Sequence, residues 1–121
     1  MPSISETVAA YAAAWLETDE AKRRRLLEAA WADDGVYTDP TAHVEGRDAL
    51  VAHIEGFLVQ MPGARIRPTS GVDVHHDRLR FTWLMDGADG KPMMEGIDFG
   101  EVGPDGRLRR IVGFFGPPPA V

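Results

Sequence analysis

The stretch Met94-Glu95-Gly96-Ile97-Asp98-Phe99 decides how the chain folds, because it reads as a core strand with a carboxylate in its middle. Alternation puts Asp98 on one face with Met94, Gly96, Gly100 and Val102, and puts Glu95, Ile97, Phe99 and Glu101 on the other. An ionised aspartate facing a core is costly unless it is paired, hydrogen-bonded or protonated, and such arrangements concentrate at functional sites. The neighbouring segments are also extended. Arg78 to Asp86 alternates, with Leu79, Phe81, Trp83 and Met85 on one side, and His76-Asp77 is a tight link leading into it. Gly87 to Pro92 is a turn before a strand over Met93 to Val102, and Pro104-Asp105-Gly106 turns into a last strand over Arg107 to Phe115. Residues 65–76 read as extended, with Pro68 and Gly71 marking an edge or a bulge.

Upstream the period is helical. Ser3 and Glu6 have capping-box spacing, and Ile4, Val8, Tyr11 and Trp15 share a face of a first helix over residues 4–17. Thr18-Asp19-Glu20 starts a second helix with Leu26, Leu27, Ala30 and Trp31 as its stripe, stopped by Asp33-Asp34-Gly35. Val36 to Asp39 is a short strand ended by Pro40, followed by a loop through His43 to Gly46. A third helix spans Arg47 to Met61, with Leu50, Ile54, Phe57, Leu58 and Met61 inward and Pro62-Gly63 as its stop. Three helices followed by an antiparallel meander is an α+β order. A bent sheet around the helices leaves a cavity between the layers, and Gly96, Gly100 and Gly113 ease that bending. The expectation is a single domain over residues 1–116, with a Pro-rich tail over 117–121.

Composition narrows the function classes. Hydrophobic residues at 44% and charged residues at 26% are ordinary for soluble globular proteins, and no apolar run approaches a bilayer span, so no membrane partner is expected. The first residues lack the basic-then-apolar order of a secretory leader, and the absence of cysteine fits a reducing, cytoplasmic setting. A net charge of −6 disfavours nucleic acid, and the run Arg23-Arg24-Arg25 reads as a solvated helix face. His75 and His76 are adjacent on an extended segment and alternate in direction, so they do not share a metal. With no metal-ligand spacing, phosphate loop or nucleophile elbow, neither metal nor cofactor is expected.

Four segments together resemble the nuclear transport factor 2-like, or SnoaL-like, superfamily over residues 4–116. They are Ala32-Asp33-Asp34-Gly35-Val36 before Asp39-Pro40, Gly46-Arg47-Asp48-Ala49-Leu50, Gly96-Ile97-Asp98-Phe99, and Gly106-Arg107-Leu108 leading to Gly113-Phe114-Phe115-Gly116. The resemblance implies a cystatin-like cone in which a curved antiparallel sheet wraps three N-terminal helices, and it makes a homodimer the expected assembly. Within the superfamily the layout is similar to ketosteroid isomerases and polyketide cyclases. That likeness implies Asp39 as general base, with Tyr11 and Asp98 as donors to a developing oxyanion. Trp31 and Ile54 fall where supporting tyrosines stand in those enzymes.

Two aspartates and a tyrosine on an apolar cavity suit enolisation, in which a base takes a proton beside a carbonyl and donors hold the resulting oxyanion. Burial would keep Asp98 protonated for that role. Trp31, His53, Ile54, Phe57, Trp83 and Phe115 are the expected pocket lining, suited to a small apolar or aromatic ligand. Two alternatives remain open: a non-catalytic binding or dimerisation module, and an epoxide hydrolase with Arg80 or Arg67 between the aspartates.

Overall fold

The computed structural model describes residues 2–121. Helices α1 (Ile4–Ala14) and α2 (Glu20–Ala30) precede strands β1 (Trp31–Asp39) and β2 (Ala42–Glu45), and helix α3 (Arg47–Gln60) follows. Strands β3 (Arg65–Pro68), β4 (Asp73–His75), β5 (Arg78–Asp86), β6 (Pro92–Val102) and β7 (Leu108–Phe115) complete the fold. The capping box at the start of α1 is formed, with Ser3 and Glu6 each donating a backbone N–H to the other's side chain at 3.1 Å. The helix ends earlier than expected because Trp15 and Leu16 donate to Ala12 and Ala13, tightening the last turn.

Expectation and structure part at Trp31. The helical spacing predicts it on the stripe of the second helix, but its backbone is extended and it opens β1 without an intervening loop. The Arg47 guanidinium explains the change, since its Nε and Nη2 both donate to the Trp31 carbonyl, at 3.0 and 2.7 Å. Asp33-Asp34-Gly35 therefore forms an irregular part of β1 instead of a helix stop. Gly35 is needed there, because any Cβ would strike the Trp31 indole. The expected loop through His43 is strand β2, paired with β1 across Pro40-Thr41.

The seven strands form a curved, open sheet in the order β2-β1-β7-β6-β5-β3, with β4 also on β5. Every pairing is antiparallel except β1 with β7, which is parallel, so the expected antiparallel sheet is mixed. A parallel neighbour needs a long crossover, and everything from β2 to β6 supplies it. Alternation along β6 is as read: Asp98, Gly100 and Val102 are buried, while Glu95 and Phe99 are exposed. The core between helices and sheet includes Leu27, Leu50, Ile54, Leu108 and Ile111, all fully buried.

Two surface expectations change. Arg23 is fully buried, its Nε donating to the Glu17 carbonyl at 3.1 Å and its Nη1 lying 2.7 Å from Glu55, which ties the α1–α2 link to α3. Only Arg24 and Arg25 keep solvent contact. At the β4–β5 turn, His76 and Asp77 take positive φ values of 50° and 61°, so strand alternation stops there and the Nδ1 atoms of His75 and His76 come within 3.1 Å. No helix among the described residues is long and apolar enough to cross a membrane.

Candidate active site

Three strands bring the two aspartates together. Asp98 on β6 pairs with Gly113 on β7, and Thr38 on β1 pairs with Val112, which sets Asp39 beside Gly113 from the other side. A Cβ at Gly113 would stand 2.9 Å from Asp98 Oδ1 and 3.6 Å from Asp39 Cβ. The glycine is thus the spacer that lets both carboxyl groups face the same space.

Asp98 is 8% exposed. Its one hydrogen bond among the described residues comes from Trp83 Nε1, 3.1 Å from Oδ1, which leaves Oδ2 without a protein donor. Gly96 makes this possible, since Trp83 is its cross-strand partner and a Cβ at Gly96 would collide with the indole. Burial pushes the Asp98 carboxyl up to about 7; the Trp83 donor pulls it down in part, and the charge of Asp39 adds to the rise. Asp39 ends β1 in a different setting. Tyr37 donates its hydroxyl to Oδ2 at 2.6 Å, and Thr41 donates both its backbone N–H and its hydroxyl to Oδ1 at 2.7 Å.

Tyr11 projects from α1, stacked on Trp31 with ring centres 5.6 Å apart and edge-on to Trp15 at 6.5 Å. Its hydroxyl is pushed well above the usual tyrosine range, first by burial and then by the charges of Asp98 and Asp39. Tyr37 is raised as well, by burial first and then by Tyr11 and Asp39. Both phenols are therefore donors throughout the physiological range.

Tyr11, Asp39 and Asp98 all line one cavity of about 610 Å³ between the helices and the concave face of the sheet. His53, Phe57, Trp83 and Phe115 line it too. Trp31 and Ile54 do not: both are fully buried, Trp31 behind Tyr11 and Ile54 in the core with Leu50 and Val51. On α3 the cavity face is Ala52, His53, Gly56, Phe57 and Gln60, and Ile54 is turned about 100° away from His53. The sequence reading missed Tyr37, Thr41 and Trp15. Tyr37 had a signal, since two residues before Asp39 on a strand it shares that residue's face. Neither arginine of the epoxide-hydrolase reading lines the cavity; Arg67 pairs with Asp86 and Arg80 with Asp73, each at 2.8 Å. No set of three His, Cys, Asp or Glu among the described residues is grouped to hold a metal.

The pattern of the SnoaL-like domain matches residues 8–111. The chain belongs to the SnoaL-like family. It is similar to a "putative isomerase of the SnoaL-like family" from Agrobacterium tumefaciens, with 33% identity over 93% of this chain and 96% of that one, at a TM-score of 0.87. A "putative polyketide cyclase" from Sinorhizobium meliloti shares the fold at 19% identity and TM-score 0.71, over 93% of this SnoaL-like chain and 94% of its own. A protein with a cystatin-like fold from Methylobium petroleophilum does so at 17% identity and TM-score 0.77, over 97% and 78% of the two chains. No curated protein matches the sequence.

Proposed function

We propose that this SnoaL-like protein is a cofactor-independent enzyme of isomerase or cyclase type, transferring protons next to the carbonyl of a small, largely apolar compound. The observation that carries the reading is that Asp39 and Asp98, spaced by Gly113, line one apolar cavity with Tyr11. Asp39 takes the α-proton. The C–H electron pair becomes the new C=C bond, the carbonyl π pair moves to oxygen, and Tyr11 and protonated Asp98 donate hydrogen bonds to that oxyanion. Return of the proton to another carbon, or attack of the enolate on a second carbonyl, gives isomerisation or cyclisation. Tyr37 and Thr41 hold the Asp39 carboxylate in place.

The test uses β-tetralone, a flat apolar ketone with acidic α-protons, in deuterated water, with α-exchange followed by proton NMR. The wild-type protein accelerates exchange, and Asp39→Asn loses roughly 10²–10⁴-fold of that acceleration. Binding of the ketone with no exchange above buffer assigns the cavity to ligand holding instead.

A second assignment within the same chemistry makes Asp98 the base, favoured by its unpartnered Oδ2 while both Asp39 oxygens already accept donors. The two assignments have opposite pH dependence. With Asp98 as a protonated donor, exchange falls as pH rises through about 7; with Asp98 as base, it rises through the same point.

The proposed assembly is a homodimer through the outer face of the sheet. Phe99 and Phe114 support it, since they are 42% and 54% exposed there with ring centres 6.1 Å apart. Sedimentation of the wild-type chain and of Phe99→Glu tests this, with the variant shifting to monomer.

A further inference from the structure

The cavity is unusual in the sign of its charge. Its lining holds two carboxyl side chains and no lysine or arginine. Neither Asp39 nor Asp98 takes part in an ion pair among the described residues. None of the strand arginines lines it, and three of them are engaged outside it, Arg67 with Asp86, Arg80 with Asp73 and Arg109 with Glu101. His53 is the one lining group able to gain positive charge, and its ring packs on Trp15 and Tyr37 at 5.9 and 5.5 Å without a hydrogen bond to either carboxylate. The other titratable groups of the wall, Tyr11 and Tyr37, stay neutral.

A buried carboxylate without a counter-ion is unfavourable, and the cost is relieved by a proton or by a cation brought in from outside. The walls can accommodate such a cation. Trp15, Tyr37 and Phe57 form a cluster, with Trp15 ring-centre distances of 5.5 Å to Tyr37 and 5.7 Å to Phe57, and Trp83 packs edge-on to Phe115 at 5.7 Å. Aromatic faces attract ammonium groups through the ring quadrupole. An anionic ligand meets the reverse, with like-charge repulsion in a low dielectric and no basic side chain to pair with.

We propose that the cavity selects its ligand by charge, taking uncharged and ammonium-bearing apolar molecules and excluding those that carry a carboxylate or phosphate. This rests on the reading that the cavity holds a small molecule, and it is independent of whether a proton is then transferred. A volume of about 610 Å³ is in the range of sites for compounds with two or three fused rings.

Three probes of one skeleton test it on the intact chain: β-tetralone, β-aminotetralin and tetralin-β-carboxylate, titrated at about pH 8 with the fluorescence of the wall tryptophans as readout. The amine is expected to bind at least about tenfold more tightly than the carboxylate, with the ketone also above the carboxylate. In the Asp39→Asn/Asp98→Asn double variant the gap between amine and carboxylate closes to within about threefold. Lowering the pH to about 5 protonates Asp98 and narrows the amine's advantage in the wild-type protein. A carboxylate that binds as well as the amine, a gap that survives in the double variant, or a cavity that takes none of the three at millimolar concentration overturns the proposal. Failure of the exchange reaction leaves this ordering intact, and an inverted ordering leaves the exchange result intact, so the two readings fail separately.

Discussion

Asp39 and Asp98 are the same side chain on either side of one glycine, and their surroundings differ in every respect that governs charge. Asp39 is half-buried at a strand end and receives three hydrogen bonds, from Tyr37 and Thr41. Asp98 is 8% exposed, mid-strand, and receives one, from Trp83. Donors favour a carboxylate, and burial favours an acid. The contrast sets one residue type in two environments, at an edge rich in hydroxyls and under an indole, and the proposed roles of base and proton donor rest on that difference.

The largest expected effect follows from replacing each carboxyl group in turn. Asp39→Asn removes the proposed base and is expected to lose roughly 10²–10⁴-fold in β-tetralone exchange. Asp98→Asn is expected to lose about tenfold or less, because the amide oxygen can still accept from Trp83 while its NH2 takes the position of Oδ2 and donates into the cavity. A reversed order of losses moves the base to Asp98 and breaks the comparison.

Stability against pH comes next. The folded state holds the Asp98 proton up to about 7 while the unfolded chain releases it near the ordinary value of 3.8, so the wild-type protein loses stability as pH rises across that window. Asp98→Asn escapes this loss, and above pH 7 it is expected to be the more stable protein by at most on the order of 4 kcal/mol, read from urea unfolding at several pH values. A variant that is less stable than wild type by the same margin at high and low pH contradicts the burial account.

Smaller effects probe the spacer and the indole. Gly113→Ala places a methyl 2.9 Å from Asp98 Oδ1 and is expected to cost about 1–3 kcal/mol of stability while pushing the two carboxyl groups apart. Trp83→Phe removes the donor that offsets burial, and the Asp98 midpoint is expected to rise by up to about one pH unit, since a hydrogen bond is worth about 1 kcal/mol. An unchanged midpoint in that variant assigns the indole to packing alone.

How much of this was legible in the sequence depends on the range of the contacts involved. The alternation of β5 and β6 and the capping box are local, and the sequence displays them directly. Asp98 stood out because an ionisable residue broke an apolar face. Trp31 was misplaced because a helical stripe and the first residue of a strand look alike until Arg47, sixteen positions later, captures its carbonyl. The parallel β1–β7 pairing joins residues more than seventy positions apart, the spacer role of Gly113 depends on that pairing, and no local pattern reports either. The Trp83–Gly96–Asp98 arrangement is half visible: alternation displays the shared faces, but that the glycine admits the indole emerges only from the cross-strand register.

The proposed chemistry turns on the charge state of Asp98, and a carbon NMR titration of its carboxyl resonance, assigned by comparison with Asp98→Asn, measures that state directly. A midpoint near 7 is the predicted result. A midpoint near the ordinary aspartate value of about 4 would contradict it, leaving a carboxylate where the proposed chemistry requires an acid.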